Sequence, residues 1–185
     1  MNPPAARLRR TYFDCRYGQL HVYQAIPPGG GFDEATALLC VPGTDGQGRC
    51  FQALLAPLGA NRSIYAPDLP GHGMSASAGA GAGAAAYAPA LLDLLDSLRQ
   101  RRIDLLCVAE GAQTALAMLA QRPAGLVRRL VFYAAPAPLL AEARRLQLEL
   151  CELPLAVADQ QALPASLVSG QLNDLMEFLG PDRNM

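Results

Sequence analysis

Four short apolar runs alternate with stretches of helical periodicity, and this alternation constrains the fold more than any other feature of the chain. The runs lie at residues 37–42, 63–67, 103–109 and 130–134. Helical patterns between them lie at residues 50–58, 91–101 and 113–121. Continuous apolar runs are typical of strands buried on both faces. Because the connections are short, the pattern predicts an α/β fold with a mostly parallel sheet and helices on both faces.

The two ends of the chain differ from this pattern. Residues 11–15 and 20–26 read as an amino-terminal antiparallel hairpin turning at Tyr17 and Gly18. Residues 76–86 are rich in Gly, Ala and Ser, which predicts a flexible loop. After Ala134 the pattern is helical, at 139–150 and 171–179, with no convincing strand. We therefore expect one domain, with a core over residues 1–138 and a helical segment over residues 139–185 packing on the core or its edge strand.

Composition excludes several classes of protein. A net charge of −1 gives no electrostatic reason to expect a nucleic-acid partner. No apolar run is long enough for a bilayer and no secretory signal is visible, so we expect no membrane partner and a cytoplasmic location. The five cysteines are scattered without metal-ligand spacing, so neither a metal site nor a cofactor is expected. The 15 basic residues are all Arg, which suggests a GC-rich bacterial genome.

Three segments at strand ends carry a recognisable family pattern. They are Asp68-Leu-Pro-Gly-His-Gly-Met-Ser75, Leu39-Cys-Val-Pro-Gly-Thr-Asp45 and Cys107-Val-Ala-Glu-Gly111, the last within a strand, turn and helix unit. Together, across residues 11 to about 138, they resemble the α/β-hydrolase superfamily of esterases, lipases and thioesterases. The resemblance implies a family sheet in which the last two strands are missing, with the site at the carboxyl ends of the strands.

The third segment corresponds to the G-x-S-x-G nucleophile elbow of that family. In register, Ala109 stands where the nucleophilic serine is expected, and Gly111 keeps the second glycine. The resemblance also implies that the main-chain N–H groups of Thr44 and Glu110 form the oxyanion hole, with Gly43, Asp45 and His72 beside the pocket. Alternative nucleophiles are Glu110, which better suits the first residue after the elbow, and Cys107, which belongs to the buried strand.

The histidine required for hydrolysis is also missing from its family position. His72 belongs to the first of the three segments, where a loop histidine held by local partners is the simpler reading. His21 lies in the hairpin, where we expect an edge or solvent-facing role. The glycines after Gly43 invite a nucleotide-binding reading, but their spacing is G-x-x-G-x-G and no acidic residue is placed for a ribose.

The sequence therefore predicts a catalytically degenerate hydrolase-fold protein, or pseudoenzyme, that binds a small apolar or acyl-like ligand or a protein partner. The alternative is an ester or thioester hydrolase seen in a Ser-to-Ala or shortened form. A third reading is acid/base chemistry with Asp45 and Glu110 facing each other across the pocket. The strand from Leu130 to Ala134 would be a sheet edge, so a homodimer or partner contact is expected there unless the carboxy-terminal segment covers it.

Overall fold

The computed structural model of the chain describes residues 5–30, 35–121, 125–146, 149–153 and 171–180. Within these residues seven strands form one sheet, in the order β1-β2-β4-β3-β5-β6-β7. The strands are β1 (Arg7–Cys15), β2 (Gly18–Ile26), β3 (Leu38–Val41), β4 (Ile64–Pro67), β5 (Ile103–Val108), β6 (Val127–Tyr133) and β7 (Glu149–Leu153).

The first two strands form the antiparallel hairpin that the sequence predicts. Cys15 pairs with Gly18 across a two-residue turn, and Gly18 has a φ of 119°, a conformation that glycine adopts without steric cost. The hairpin joins the rest of the sheet through antiparallel pairing of β2 with β4. From β4 onward every pairing is parallel, so the α/β fold class and the mixed sheet are confirmed.

In the part of the chain that the structure describes, five α-helices cover the sheet. They are α1 (Gln52–Leu58), α2 (Ala84–Ser97), α3 (Gly111–Gln121), α4 (Ala137–Arg144) and α5 (Leu172–Phe178). Alternate residues of the buried strands face opposite sides, as strand geometry requires. Leu39 and Leu105 pack with α2, α3 and α4 on one side of the sheet. Leu38 and Leu106 pack with α1 and α5 on the other.

Strand β7 corrects the prediction for the carboxy-terminal part of the chain. A helix was expected over 139–150, whereas α4 ends at Arg144 and residues 149–153 form a strand parallel to β6. Leu146 and Leu150 have the spacing of one helical face, whereas Leu146, Leu148 and Leu150 alternate as in a strand, so periodicity alone could not separate the two. Because β7 covers β6, the segment from Leu130 to Ala134 is not the edge of the sheet.

Helix α2 also departs from the prediction, because it begins inside the low-complexity stretch expected to be a loop. Gly83 has an extended backbone and precedes the first helical residue, Ala84. Three alanines then open the helix, and alanine has the highest helix propensity of all residues. The amphipathic part beyond residue 91 was recognised, whereas the alanine turn before it carries no periodic signal. Among the described residues no helix is both long and apolar enough to cross a bilayer.

Candidate functional site

Residue 109 lies at the tight turn between the central strand β5 and helix α3. Its φ is 47°, in the left-handed region that residues with a side chain rarely adopt. The main-chain N–H of Ala109 donates to the Tyr133 carbonyl of β6 over 2.8 Å, which ties the turn to the neighbouring strand. Its carbonyl accepts the Ala112 N–H of the first turn of α3 at 3.2 Å. The chain therefore forms a strand–elbow–helix unit with a methyl group at its apex.

Two glycines let the loop after β3 approach this elbow. A Cβ atom placed on Gly111 would lie 2.4 Å from the carbonyl oxygen of Pro42, so only glycine fits at the start of α3. A Cβ on Gly43 would lie 3.4 Å from the Cβ of Ala109. Glycine at both positions thus places the segment that begins at Gly43 beside the Ala109 methyl group.

Thr44 and Glu110 meet across this junction. The Thr44 hydroxyl donates to Oε2 of Glu110 over 2.7 Å. This bond, and a second one from the main-chain N–H of Glu110, lower the pKa of the Glu110 carboxyl below its usual range. Both residues are exposed, so the site opens to solvent. Thr44 and Glu110, whose main-chain N–H groups were expected to form an oxyanion hole, therefore meet at this junction.

Asp45 does not form the carboxylate pair with Glu110 that would be needed for acid/base chemistry. Its Oδ1 accepts the main-chain N–H of Gln47 at 3.2 Å, which closes a local turn. The Glu110 carboxylate binds Thr44 instead. The two carboxylates therefore have separate partners, and the geometry gives no support to the paired reading.

His72 lies near the site but has local partners. Its ring covers Gly46, where an added Cβ would lie 2.2 Å from the ring. Its Nε2 is 3.2 Å from the Tyr87 hydroxyl, and that hydroxyl donates to the Ala82 carbonyl. The imidazole thus links the Asp68–Ser75 segment to α2. Sequence reading missed Tyr87, because a single aromatic residue within an alanine-rich stretch gives no signal for a histidine partner.

His21 does not have the edge or solvent-facing position expected of it. Its side chain is buried, and Nδ1 lies 2.8 Å from Oδ2 of Asp68. Asp68 also accepts the main-chain N–H groups of Gly48 and Met74, so it fixes the loop after β4 to its surroundings. The expectation failed because the Asp of the D-x-P-G-H-G-x-S segment turns back toward β2. That Asp was the available signal for a buried histidine partner.

The cysteines offer no nucleophile at the elbow. Cys107 is fully buried in β5, and this burial raises the pKa of its thiol far above neutral. Burial has the same effect on Cys40 in β3. A thiol that stays protonated at neutral pH is a weak nucleophile. Among the described residues, no cluster of His, Cys, Asp or Glu is arranged to hold a metal ion.

Comparison with family models places the fold and elbow in a known group. Residues 38–182 match the model of the alpha/beta hydrolase family. The chain belongs to the α/β hydrolase family. The match includes the loop after β3, the elbow and helix α3. A comparison with curated protein sequences finds no match.

Solved structures of α/β hydrolases share the fold at low sequence identity. The thioesterase domain from the curacin biosynthetic pathway is 22% identical with a TM-score of 0.59, covering 70% of this chain and 45% of the other. Carboxylesterase CesB from Bacillus subtilis is 22% identical with a TM-score of 0.58, covering 69% and 43%. The N-acyl homoserine lactonase AidH complexed with N-butanoyl homoserine is 23% identical with a TM-score of 0.58, covering 69% and 45%. The chain spans less than half the length of each.

Proposed function

We propose that this α/β hydrolase is a pseudoenzyme whose elbow binds a small neutral acyl compound without hydrolysing it. The observation that carries the proposal is Ala109, which has the left-handed backbone of an elbow residue but no nucleophilic atom. The fold and the approach of the Gly43 loop are retained. What is lost is the group that would attack a carbonyl carbon.

The partners of both histidines support the loss of hydrolysis. A serine-type relay needs an imidazole that accepts the nucleophile's proton and a carboxylate that orients the imidazole. His21, in the hairpin, pairs with Asp68 of the loop after β4, and His72 lies within hydrogen-bond distance of the Tyr87 hydroxyl. Removing one member of such a relay costs about 10⁴- to 10⁶-fold in turnover, and here the nucleophile itself is replaced.

The Thr44–Glu110 bond indicates which acyl compounds fit. A ligand carbonyl that binds the Glu110 N–H would lie close to the Glu110 carboxylate, which the Thr44 hydroxyl holds at this junction. A neutral ester, thioester or amide oxygen carries no full charge for this carboxylate to repel. A ligand carboxylate would in addition meet the negative charge of Glu110 at short range, and like charges repel. The proposed ligand is therefore a neutral acyl compound, and the site should reject free carboxylic acids.

Two related probes, one neutral and one carrying a carboxylate, test the proposal, and a charge-removing variant isolates the effect of charge. N-Butanoyl homoserine lactone is neutral, and its ring-opened form, N-butanoyl homoserine, carries a carboxylate. We expect the lactone to shift the NMR signals of Ala109 and Glu110 at lower concentration than the ring-opened acid. Glu110→Gln removes the negative charge and should reduce the difference in affinity between the lactone and the acid. Equal binding of both probes by the unaltered chain, or binding away from residue 109, would contradict the proposal.

Hydrolysis is measured separately with a panel of esters, thioesters and lactones. The unaltered chain should show no turnover above the uncatalysed rate. Turnover that follows the folded protein through purification and disappears on unfolding would overturn the pseudoenzyme proposal.

The second candidate is an ester or thioester hydrolase in which serine has been replaced by alanine. The left-handed backbone at Ala109 favours it, because this conformation costs an alanine about 1–2 kcal/mol and is the one an elbow nucleophile requires. Ala109→Ser distinguishes the two candidates in the same panel. Turnover gained by this variant supports the second candidate, whereas an inactive, folded variant supports the first.

A further inference from the structure

Strand β1 lies at one edge of the sheet, and most of its residues are exposed. β1 is the first strand in the sheet order, and among the described residues none pairs with its outer side. Two of the exposed large apolar side chains lie on it, Leu8 at 51% and Tyr12 at 47% exposure. A long strand edge with free N–H and C=O groups and apolar side chains is a template for pairing with another chain.

Charge is divided unevenly along this strand. Arg7, Arg9 and Arg10 occupy its first half, and within the part of the chain that the structure describes none of them has an ion pair. Arg10 stacks over the Tyr23 ring at 5.1 Å, which shows that an aromatic neighbour suits it. The second half carries Asp14, whose carboxylate accepts only an exposed bond from Gln19. One end of the strand is thus basic and the other acidic and aromatic.

We propose that β1 is a homodimer interface, in which a second copy of the chain pairs antiparallel with it about a two-fold axis at Thr11. In this register Thr11 faces Thr11 of the second copy, and all nine residues of the strand pair. Arg10 faces Tyr12 of the second copy, and Leu8 faces Asp14 of the second copy. Each contact occurs twice, as an isologous interface requires.

The division of charge selects this register. An antiparallel arrangement brings the basic half of each strand to the acidic, aromatic half of the other. The diagonal neighbours of Arg10 are then Asp14 and Arg10 of the second copy, and the Asp14 carboxylate lies within reach of the Arg10 guanidinium. A shift of one residue pair that placed Arg10 opposite Arg10 would set like charges side by side, which is destabilising.

The hairpin turn determines which main-chain groups are free for this contact. Cys15 and Gly18 close a two-residue turn, so they form a hydrogen-bonded pair, and bonded pairs alternate along the hairpin. Odd-numbered residues of β1 therefore direct their N–H and C=O groups toward β2, and even-numbered residues direct them outward. Arg10 and Tyr12 would bond across the new interface. The two Thr11 residues would form a non-bonded pair, with Cα atoms about 4.5 Å apart.

Disulfide trapping tests the register directly. In Thr11→Cys the new thiols face each other across the axis, and we expect rapid oxidation to a covalent dimer. Leu8→Cys is the control, because it adds a thiol at a more exposed position of β1 but faces Asp14 of the second copy, and should cross-link at least about tenfold more slowly. The unaltered chain, treated in parallel, accounts for the native cysteines. Equal cross-linking of the two variants would overturn the proposed register.

Sedimentation equilibrium of the full chain tests the dimer itself. The unaltered protein should show a concentration-dependent monomer–dimer equilibrium. Arg10→Asp places a carboxylate beside Asp14 of the second copy and should weaken dimerisation about tenfold. Adding Asp14→Arg should restore it, and circular dichroism of each variant shows that the hairpin remains folded. A monomer at every concentration, or no recovery of dimerisation in the double variant, would refute the proposal. A monomer would also be the result if the edge of β1 binds a strand of another protein instead of a second copy.

Discussion

The hydroxyl of Thr44 lies 2.7 Å from Oε2 of Glu110 and joins the loop after β3 to the elbow before α3. The main-chain N–H of Glu110 also favours the ionised form of this carboxyl, and the two interactions explain why its pKa is lowered. The residue after the elbow thus carries a negative charge at the loop after β3.

Replacing Thr44 with valine should raise the pKa of the Glu110 carboxyl toward its ordinary value of 4.5. Because the folded-state pKa is lowered, the bond stabilises the fold fully above the unfolded pKa and loses this contribution as pH falls through the folded pKa. Thr44→Val removes this contribution, so its free energy of unfolding should differ from that of the unaltered chain at neutral pH. The share of this difference that comes from ionised Glu110 should shrink below about pH 4.5.

The measurement is an NMR titration of the Glu110 side-chain carboxyl in both proteins. Thr44→Ser is the matched control, because it keeps the hydroxyl and should keep the lowered pKa. If Thr44→Val left the titration of Glu110 unchanged, the hydroxyl would not be what stabilises its charge.

Ala109 and Ala112 should respond in opposite directions to replacement by glycine. At position 109 glycine relieves a left-handed conformation worth about 1–2 kcal/mol, offset by about 0.4–1 kcal/mol of unfolded-state entropy, so Ala109→Gly should be neutral or slightly stabilising. Ala112 is fully buried in α3, so Ala112→Gly should cost about 1–2 kcal/mol. Urea unfolding measures both. A clear loss of stability in Ala109→Gly would mean that its backbone is not left-handed.

Gly111 should tolerate no side chain. Its Cβ would lie 2.4 Å from the carbonyl oxygen of Pro42 and 2.7 Å from that of Val41, so α3 or β3 must move. We expect Gly111→Ala to cost about 2–3 kcal/mol by overpacking. In Gly29→Ala the added atom meets nothing within 4 Å and should change stability by less than about 0.5 kcal/mol. Similar melting temperatures for the two variants would show that the approach of β3 to the elbow is not tight.

The buried strands and the elbow could be predicted because their signals are local. Each of β3, β4 and β5 is a short apolar run buried along its length, and such runs leave few alternatives to a covered sheet. The elbow was placed by Gly111 and by the strand and helix that flank it. Its backbone conformation at Ala109 follows from that turn and not from alanine itself, which avoids positive φ.

The features missed depend on contacts between distant segments. His21 is buried because Asp68, 47 residues further along the chain, turns its carboxylate toward β2. Strand β7 forms because the edge of β6 is available to it, whereas its own leucines suit a helix equally well. Likewise, the bond from Thr44 to Glu110 depends on side-chain geometry, which sequence spacing does not report. The sequence pattern placed residue 109 at the turn but could not predict this bond.

The end of α5 is held by buried charges that sequence inspection gave no reason to connect. Asp104 is fully buried in β5 and binds the guanidinium groups of Arg62 and Arg128. Both arginines also donate to the Leu179 carbonyl just after α5, where the helix dipole favours cations. The Asp104 carboxylate offsets the cost of burying two positively charged guanidinium groups. It thereby holds them where they can donate to the carbonyl groups at the end of α5.

Asp104→Ala should therefore cost about 3–5 kcal/mol, because it leaves two buried cations without their anion. Asp93→Ala is the matched control, since it breaks an ion pair with Arg16 at the surface and should cost about 0–1 kcal/mol. Amide hydrogen exchange adds a local readout: in Asp104→Ala the protection of residues 172–178 should fall, whereas in Asp93→Ala it should stay. Comparable stability losses in the two variants, with α5 equally protected in both, would contradict a central role for Asp104, because the arginines would then be satisfied by the α5 carbonyls alone.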